Sequence, residues 1–250
     1  TSSYAWFSMN KTVTASGMQV KARAEGGIQI KRTAEEDTAY GQSADSSHTA
    51  VDLLPISTAN GENWYHAEGT SESDGTGIAA TYEELTLVET GGDTTGSGIG
   101  GLAESTNYYY VFDSYTISSD KNSGDFVGLW VAQAYVNSST QTLSKSLRIG
   151  FFTDDVAIIC APNAGFTASY NVNQTTAVTA LDYSTSGTTA VAKSTANTLV
   201  GDDGASSVVV KVCAWFEGED ANLKTENITQ SLESMTISVT FKATSVKAAA

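Results

Sequence analysis

Several runs of the chain alternate apolar and polar residues, a period of two that predicts β-strands with one buried face. In residues 235–242 the apolar face consists of Met235, Ile237, Val239 and Phe241. In residues 208–216 it consists of Val208, Val210, Val212, Ala214 and Phe216. Further strands are predicted at residues 18–23, 28–31, 108–117, 126–136, 147–152 and 156–160.

Turn residues connect some of these strands. Gly26-Gly27 predicts a hairpin turn between the first two of the further strands. Thr153-Asp154-Asp155 predicts a second hairpin between the last two. The run 126–136 is apolar at most positions, so we expect that strand to be buried on both faces for much of its length.

The remaining stretches are rich in Ser, Thr, Asn and Gly. Residues 33–77 are interpreted as an excursion from the body, either a long connection with little regular structure or a small lobe, anchored by Trp64. The Gly-rich run 91–101 lacks the Gly-Lys-Ser/Thr ending of a phosphate-binding loop and is predicted to be a flexible connection. Weaker patterns predict a helical turn and then a strand at 80–88, a short helix within 225–232, and little periodicity at 163–204.

Strands joined by turns and long loops, without alternating helices, exclude a doubly wound α/β fold. The sequence predicts an all-β protein, a jelly-roll-like β-sandwich with long loop insertions and few short helices. A length of 250 residues fits one such domain. We place this domain at residues 17–250, after an N-terminal donor-strand segment at residues 1–16.

The first ten residues are unusually apolar for a terminal stretch. They include Tyr4, Ala5, Trp6, Phe7 and Met9. Burying each large side chain would contribute about 1.5–3 kcal/mol, so we expect something to cover them. Two interpretations are open: a first strand of the chain's own sheet, or a strand donated to the open sheet edge of a neighbouring copy.

Charge narrows the range of partners. The chain has 13 basic and 28 acidic residues, which gives a net charge of −15. This charge repels phosphate backbones and anionic lipid, so we expect no nucleic-acid partner and no membrane insertion of the mature chain. An acidic surface rich in Ser and Thr suits a secreted or surface-displayed protein.

The two cysteines, Cys160 and Cys213, each lie inside a strand-like run. They fit either two buried free thiols or one disulfide between strands. A bridge would contribute about 4 kcal/mol by restricting the unfolded chain. The spacing along the chain does not show whether the two sulfurs meet.

No pattern of residues points to catalysis. The two histidines, His48 and His66, lie on the polar excursion, and the chain has no His-Glu-x-x-His or Gly-x-Ser-x-Gly motif. Acidic pairs such as Asp154-Asp155 resemble the acid and base of a glycosidase, but acidic residues are also expected at turns. We therefore predict that the protein is not an enzyme and has no cofactor or metal site.

Two separated pieces of the chain carry short motifs. The first is Tyr4-Ala5-Trp6-Phe7-Ser8, followed by a glycine and an alternating strand at residues 17–22. The second is Trp215-Phe216-Glu217-Gly218-Glu219-Asp220, followed by the strand at residues 235–241. These pieces resemble the mature N-terminus, the W-x-E-G-x-D strand end and the closing strand of the TasA/camelysin family, bacterial proteins exported by a dedicated signal peptidase.

The resemblance implies a jelly-roll sandwich, secretion with the signal peptide already removed, and assembly into extracellular fibres of the biofilm matrix. In that family an N-terminal strand passes from one subunit into the next, which agrees with the second interpretation of the apolar stretch. We therefore predict a filament subunit that binds copies of itself, with other matrix components as further partners. The alternative is a secreted carbohydrate-binding jelly-roll module, with Trp64 and Tyr108–Tyr110 as candidate sugar-stacking residues.

Overall fold

The computed structural model of the protein describes residues 13–16, 18–33, 39–49, 51–68, 81–92, 96–119, 124–137, 142–163, 169–172, 176–218, 220, 232–233 and 235–247. The predicted donor side chains lie outside these described residues: Tyr4, Ala5, Trp6, Phe7 and Met9. The short helix predicted within 225–232 also lies outside them, apart from its last residue.

The described residues are almost entirely β-structure, with short 3₁₀ turns at Thr142–Ser146 and Thr195–Asn197. In chain order the strands are β1 (Val13–Ser16), β2 (Gln19–Glu25), β3 (Ile28–Arg32), β4 (Ser43–Ser47), β5 (Val51–Leu53), β6 (Ser57–Thr58), β7 (Trp64–Glu68), β8 (Thr81–Leu85), β9 (Val88–Thr90), β10 (Ser97–Gly101), β11 (Tyr108–Ser119), β12 (Asp125–Val127), β13 (Leu129–Asn137), β14 (Leu147–Phe152), β15 (Ala157–Ala161), β16 (Ser169–Val172), β17 (Thr176–Thr179), β18 (Leu181–Asp182), β19 (Thr198–Val200), β20 (Ser207–Phe216), β21 (Leu232–Glu233), β22 (Thr236–Lys242) and β23 (Ser245–Lys247).

Two sheets face each other and enclose the main core. Sheet A has eleven strands, in the order β18-β15-β14-β20-β11-β5-β1-β21, with β10 and β3 also paired to β11 and β9 paired to β10. Sheet B has five strands, in the order β19-β13-β22-β2-β4. Ile149 and Val212 of sheet A share one buried cluster with Val20 and Ile237 of sheet B. The predicted all-β sandwich is therefore confirmed, while its jelly-roll connectivity stays a prediction.

The two clearest alternating runs bury the faces that the sequence predicts. In β20, four of the five predicted residues lie in the core between the sheets, and Val208 packs against it. The four apolar residues of the run 235–242 are buried in the same cluster. The predicted hairpin is also present, because β14 and β15 pair antiparallel on either side of Thr153–Asp155. These features depend on neighbours in the chain, which is why the sequence pattern predicts them.

The turn at Gly26-Gly27 is not a hairpin, which corrects the prediction. β2 belongs to sheet B and β3 belongs to sheet A, so the chain crosses between the sheets at this point. The two glycines have φ values of 83° and 84°, which favour glycine. A Cβ atom at Gly26 would also lie 2.6 Å from the carbonyl oxygen of Ala243. Turn residues indicate a bend but not the sheet that the next strand joins.

The strand predicted at 126–136 is divided at Gly128, where φ is 66°. β12 pairs with β23, whereas β13 lies in sheet B. On the outward face of β13, Trp130 and Tyr135 are only half-buried. Trp130 Nε1 donates a hydrogen bond to the carbonyl of Val191 at 3.2 Å, so a loop covers part of this face. The outward face of β13 is therefore covered only in part, and burial on both faces is less complete than the sequence predicts.

Residues 33–77 contain more regular structure than the sequence indicates. β4 forms an edge of sheet B, and β5 pairs within sheet A. β6, β7 and β8 form a separate three-stranded sheet, here called the outer layer. Its Trp64 packs in a second hydrophobic cluster with side chains on the outer face of sheet A. β8 also replaces the helical turn predicted at the start of residues 80–88.

The Gly-rich run 91–101 is not simply a flexible connection, because its second half forms β10. In the antiparallel ladder with β11, Gly98 lies opposite Phe112 and Gly100 lies opposite Tyr110. A Cβ atom at Gly98 would lie 2.6 Å from Cζ of Phe112. Glycine is required at this position because an aromatic ring of the adjacent strand lies over the main chain.

Candidate functional site

The end of the predicted donor segment belongs to the chain's own fold. β1 pairs antiparallel with β5 and parallel with β21 of the same chain. Residues 13–16, which the sequence assigns to the donor segment 1–16, are therefore part of sheet A. A donated strand is limited to residues 1–12, which still contain all five predicted donor side chains.

The second motif of the resemblance forms a buried polar network at the end of β20. Nε1 of Trp215 donates a hydrogen bond to Oε2 of Glu217 at 3.2 Å. The hydroxyl of Ser57 donates to the other oxygen of the same carboxylate. All three residues are fully buried. Glu217 therefore ties the end of β20 to β6 in the outer layer.

A buried ion pair accompanies this network. Nη2 of Arg148 and Oδ2 of Asp220 are 2.6 Å apart, and neither side chain has any exposed surface. Arg148 lies opposite Trp215 in the ladder between β14 and β20. Its Nη1 atom also donates to the carbonyls of Lys145 and Leu147, each at 2.9 Å. Because buried charges are costly unless they are paired and hydrogen-bonded, Asp220 has a structural role.

Three of the four aromatic candidates for sugar binding, Trp64, Tyr109 and Tyr110, are part of the protein interior, whereas Tyr108 is half-buried. The ring of Trp64 stacks on Tyr110, with centroids 4.2 Å apart and planes 10° apart. It also meets Trp215 edge to face at 5.3 Å. Trp64 is only 2% exposed, and Tyr109 and Tyr110 are buried with it. Trp64 thus anchors the outer layer, as the sequence predicts, and these rings offer no stacking surface to a sugar.

Both cysteines are buried free thiols. Cys160 lies opposite Ile149 of β14, and Cys213 lies opposite Gly150 of the same strand. Successive residues of a strand point to opposite faces, so the two thiols lie on opposite faces of sheet A. Their strands are separated by β14 and are about 9–10 Å apart, beyond the Cα spacing of a disulfide. This geometry favours the free-thiol alternative.

A Ser-Asp-His cluster joins the two sheets. Nε2 of His48, just after β4, lies 3.0 Å from Oδ2 of Asp113 in β11. The hydroxyl of Ser97 donates to Oδ1 of the same carboxylate. The carboxylate lies between the serine and the histidine, whereas a catalytic triad needs the histidine in the middle. The cluster therefore holds the sheets together, and His48 is buried rather than solvated.

The other histidine lies at the surface. Nε2 of His66 is 3.1 Å from Oε2 of Glu83, between β7 and β8 of the outer layer. Within the described ranges, no group of three or more His, Cys, Asp or Glu side chains is placed to hold a metal ion.

A groove lies where both sheets end, at the pole of the sandwich near the last residues of β11. This β19–β20 groove has a volume of about 530 Å³ and a mixed lining. Polar residues, among them Asp154 and Asp155, lie beside the apolar residues Val156, Leu199, Val200, Ala205, Val208 and Val209. β20 pairs with β14 only from Lys211 onward. Among the described residues, Ser207–Val210 therefore has a strand partner on one side only, β11.

The sequence did not predict this groove, although it contains local signals. Val209 lies on the outer face of sheet A, beside Lys211, and is 49% exposed. An apolar residue on the outward face of a strand was one available signal. Thr198-Leu199-Val200, a short β-like run before Gly201, was the other. It lies in residues 163–204, where the sequence shows little periodicity and the structure has β16 to β19.

Comparisons of the chain with known protein families, with characterised proteins and with solved structures found no match. No helix in the described part of the chain is long and apolar enough to cross a lipid bilayer. The resemblance to the TasA/camelysin family stays a prediction from two motifs.

Proposed function

We propose that the protein is the structural subunit of an extracellular filament, of the kind that builds a biofilm matrix. In this proposal residues 4–9 of one copy add as a strand to an open sheet edge of the next copy. The observation that supports it most is the main chain of Ser207–Val210, which among the described residues is paired on one side only and borders a groove with apolar residues in its lining. The chain thus has both an edge that can accept a strand and an apolar stretch to donate.

Strand addition uses main-chain hydrogen bonds for affinity and pockets for alternate side chains. In an extended conformation Tyr4 and Trp6 share one face, and Phe7 and Met9 share the other. Either face therefore carries two large apolar side chains. Burying them would contribute about 1.5–3 kcal/mol each, so the stretch can bind whichever face turns inward.

Export and jelly-roll connectivity belong to the same proposal and are supported by the resemblance to the TasA/camelysin family. The structure gives the second motif a physical role. Trp215, Glu217 and Asp220 are buried and hydrogen-bonded. Glu217 fixes the end of β20 against the outer layer, and Asp220 pairs with Arg148 of β14. A motif with this role suits a fold signature better than a catalytic or ligand site.

Deletion of residues 1–10 tests the proposal most directly. We expect the native chain to form filaments in negatively stained micrographs and the shortened chain to elute as a monomer in gel filtration. Trp6→Asp should have the same effect, because it places a charge where an apolar side chain is buried. Ser2→Asp is the matched control, since it adds the same charge outside the apolar positions. Filaments formed by the shortened chain would overturn the proposal.

Circular dichroism separates the two interpretations of the apolar stretch. If the stretch is donated, the Trp6→Asp chain stays β-rich as a monomer. If it is a strand of the chain's own sheet, the same substitution unfolds the subunit.

A further inference from the structure

We infer that the acceptor for the donated strand is the β19–β20 groove, at the pole of the sandwich opposite to β1. This inference rests on the proposed function and specifies its partner surface. The occupant is residues 4–9 of a second copy of this chain. Two strand edges, the turn 153–156 and the loop 201–205 border the groove.

The two strand edges come from different sheets. β19 ends the strand order of sheet B and pairs with β13 through Val200 and Thr198. In sheet A, the ladder between β14 and β20 ends at the pair Phe152 and Lys211. The first residues of β20, Ser207–Val210, lie beyond this pair. A strand entering between them can therefore extend one sheet while its side chains meet the other. This arrangement supplies the unpaired main chain that strand addition needs.

The lining suits apolar side chains. Leu199 belongs to the main core, and Val200, Ala205 and Val208 pack against it. A side chain placed in the groove would therefore extend the core. The volume of about 530 Å³ lies within the range of about 300–1,000 Å³ that is usual for sites that enclose a ligand.

Charge also favours this occupant. Asp154 and Asp155 line the groove, and Asp203 lies between its lining residues Gly201 and Gly204. The neighbouring Asp202 is already paired with Lys193. Lys11 is the single charged side chain among residues 1–12. Attraction between this lysine and the acidic border favours the donor segment over the acidic remainder of the chain.

A copy cannot place residues 6–9, which include Trp6, Phe7 and Met9, in its own groove. Val13 is level with Leu53, and Leu53 is level with Tyr108 at the start of β11. The β20 lining residue nearest to this end is Val209, which is level with Thr116. Tyr108 and Thr116 are eight residues apart along β11 (116 − 108), or about 26 Å at about 3.3 Å per residue.

A fully extended chain starting at Val13 reaches only about 14 Å by Met9 and about 25 Å by Trp6. Residues 6–9 therefore fall short of the groove in the same copy but can enter the groove of a neighbour. The donor segment is attached to β1, at the pole opposite to the groove, so each contact leaves one donor and one acceptor free. Such a head-to-tail contact propagates as an open filament.

The test uses two defective chains that complement each other. Deletion of residues 1–10 removes the donor and leaves the groove intact. Val209→Asp places a charge in the groove at an exposed position and leaves the donor intact.

Val88→Asp is the matched control, because Val88 is 43% exposed, close to the 49% of Val209. Val88 lies opposite Gly101, and Gly101 lies opposite Tyr108, which places the control at the β1 pole.

We expect filaments from the native chain and from Val88→Asp, and monomers from each defective chain alone. An equimolar mixture of the shortened chain and Val209→Asp should give a one-to-one dimer and nothing larger, measured by light scattering after gel filtration. The dimer forms because one donor and one acceptor remain functional.

Gly201→Trp provides a second variant that fills the groove. A Cβ atom at Gly201 meets no atom within 4 Å, so the larger side chain enters open space and does not disturb the core. We expect this chain to remain a monomer alone and to form the same dimer with the shortened chain.

The outcomes separate the two claims. Filaments from the shortened chain would overturn the proposed function. If the shortened chain is a monomer but Val209→Asp and Gly201→Trp still form filaments, the proposed function stands and the acceptor lies elsewhere. If the shortened chain stays monomeric when mixed with Val209→Asp and when mixed with Gly201→Trp, the groove does not accept the donor and its assignment is wrong.

Discussion

The two faces of sheet A are both buried but are built from different chemistry. The inner face, toward sheet B, is dominated by aliphatic side chains such as Ile149 and Val212. The outer face, beneath the outer layer, carries the rings of Tyr110 and Trp215, on which Trp64 of the outer layer packs, and the polar groups of Arg148 and Glu217. One face is held mainly by apolar burial, and the other by ring stacking and paired polar groups.

This difference shows which part of the fold tolerates change. Apolar burial is non-directional, so many combinations of side chains of similar volume fill the inner face. Stacked rings and buried charges need defined distances and partners. We therefore expect the inner face to supply the bulk stability of the sandwich. The outer face should fix the position of the outer layer.

Replacing one large side chain on each face gives the largest expected effect. Phe151, on the inner face, meets Phe241 edge to face at 5.8 Å. Trp64→Ala and Phe151→Ala should each lower the free energy of unfolding by about 3–5 kcal/mol. The Phe151 variant should unfold the whole domain more easily. The Trp64 variant should open the outer layer first.

Limited proteolysis together with thermal unfolding distinguishes the two results. Early cleavage within residues 57–68, while the far-ultraviolet spectrum stays native, is expected for Trp64→Ala only. Identical global unfolding in both variants would show that the outer layer is as integral to the domain as sheet B.

The buried ion pair gives the next largest effect. Asp220→Asn removes the charge that faces Arg148 but keeps the shape of the side chain. We expect a loss of about 1.5–3 kcal/mol, because a hydrogen bond to a buried charged group is weakened. Asp202→Asn is the control, since Asp202 pairs with Lys193 at the surface. Exposed pairs contribute about 0–1 kcal/mol. Equal losses in urea titrations of the two variants would contradict a structural role for Asp220.

Alkaline pH should lower the free energy of unfolding through groups on both faces of sheet A. Burial raises the pKa of Cys160 and Tyr115 on the inner face, and of Cys213 and Tyr110 on the outer face. The ordinary values are 9.0 for the cysteines and 10.0 for the tyrosines. Above these values the unfolded chain loses protons that the folded chain retains. These four groups therefore leave the free energy of unfolding unchanged below about pH 9 and lower it as the pH rises further.

A series of urea titrations at increasing pH measures this fall. Each group contributes a slope of up to about 1.4 kcal/mol per pH unit. Tyr110→Phe removes one group and should make the decline shallower. An unfolding free energy that stays constant above pH 10 would contradict the expectation.

The smallest effect concerns the reactivity of the thiols. In the folded protein both should resist a thiol reagent, because burial disfavours the thiolate. In denaturant without reductant we expect two reactive thiols per chain, whereas a disulfide would leave none. In the Trp64→Ala variant, Cys213 on the outer face should react before Cys160. Simultaneous reaction of both cysteines would remove the distinction between the faces.

The sequence predicted the faces of β20 and β22 because alternation is a local property of the chain. It also shows that residues 4–9 are apolar, since they are adjacent, and their role as a donor stays a prediction. It did not predict the outer face of sheet A. Nor did it predict the β19–β20 groove, whose lining comes from residues 153–156 and 199–209, beyond the end of the β14 ladder. Such a site depends on where one strand stops beside another.

The sequence by itself determined that the protein is built of strands, which side chains of the clearest strands turn inward, and where the chain is most apolar. The tertiary structure decided that β2 and β3 join different sheets, that Arg148 meets Asp220 across 72 positions, and that Ser57 meets Glu217 across 160. The physical reason is the range of the interactions. Alternation and turn preference act between neighbours in the chain, whereas strand pairing and charge pairing join residues that only the folded chain brings together.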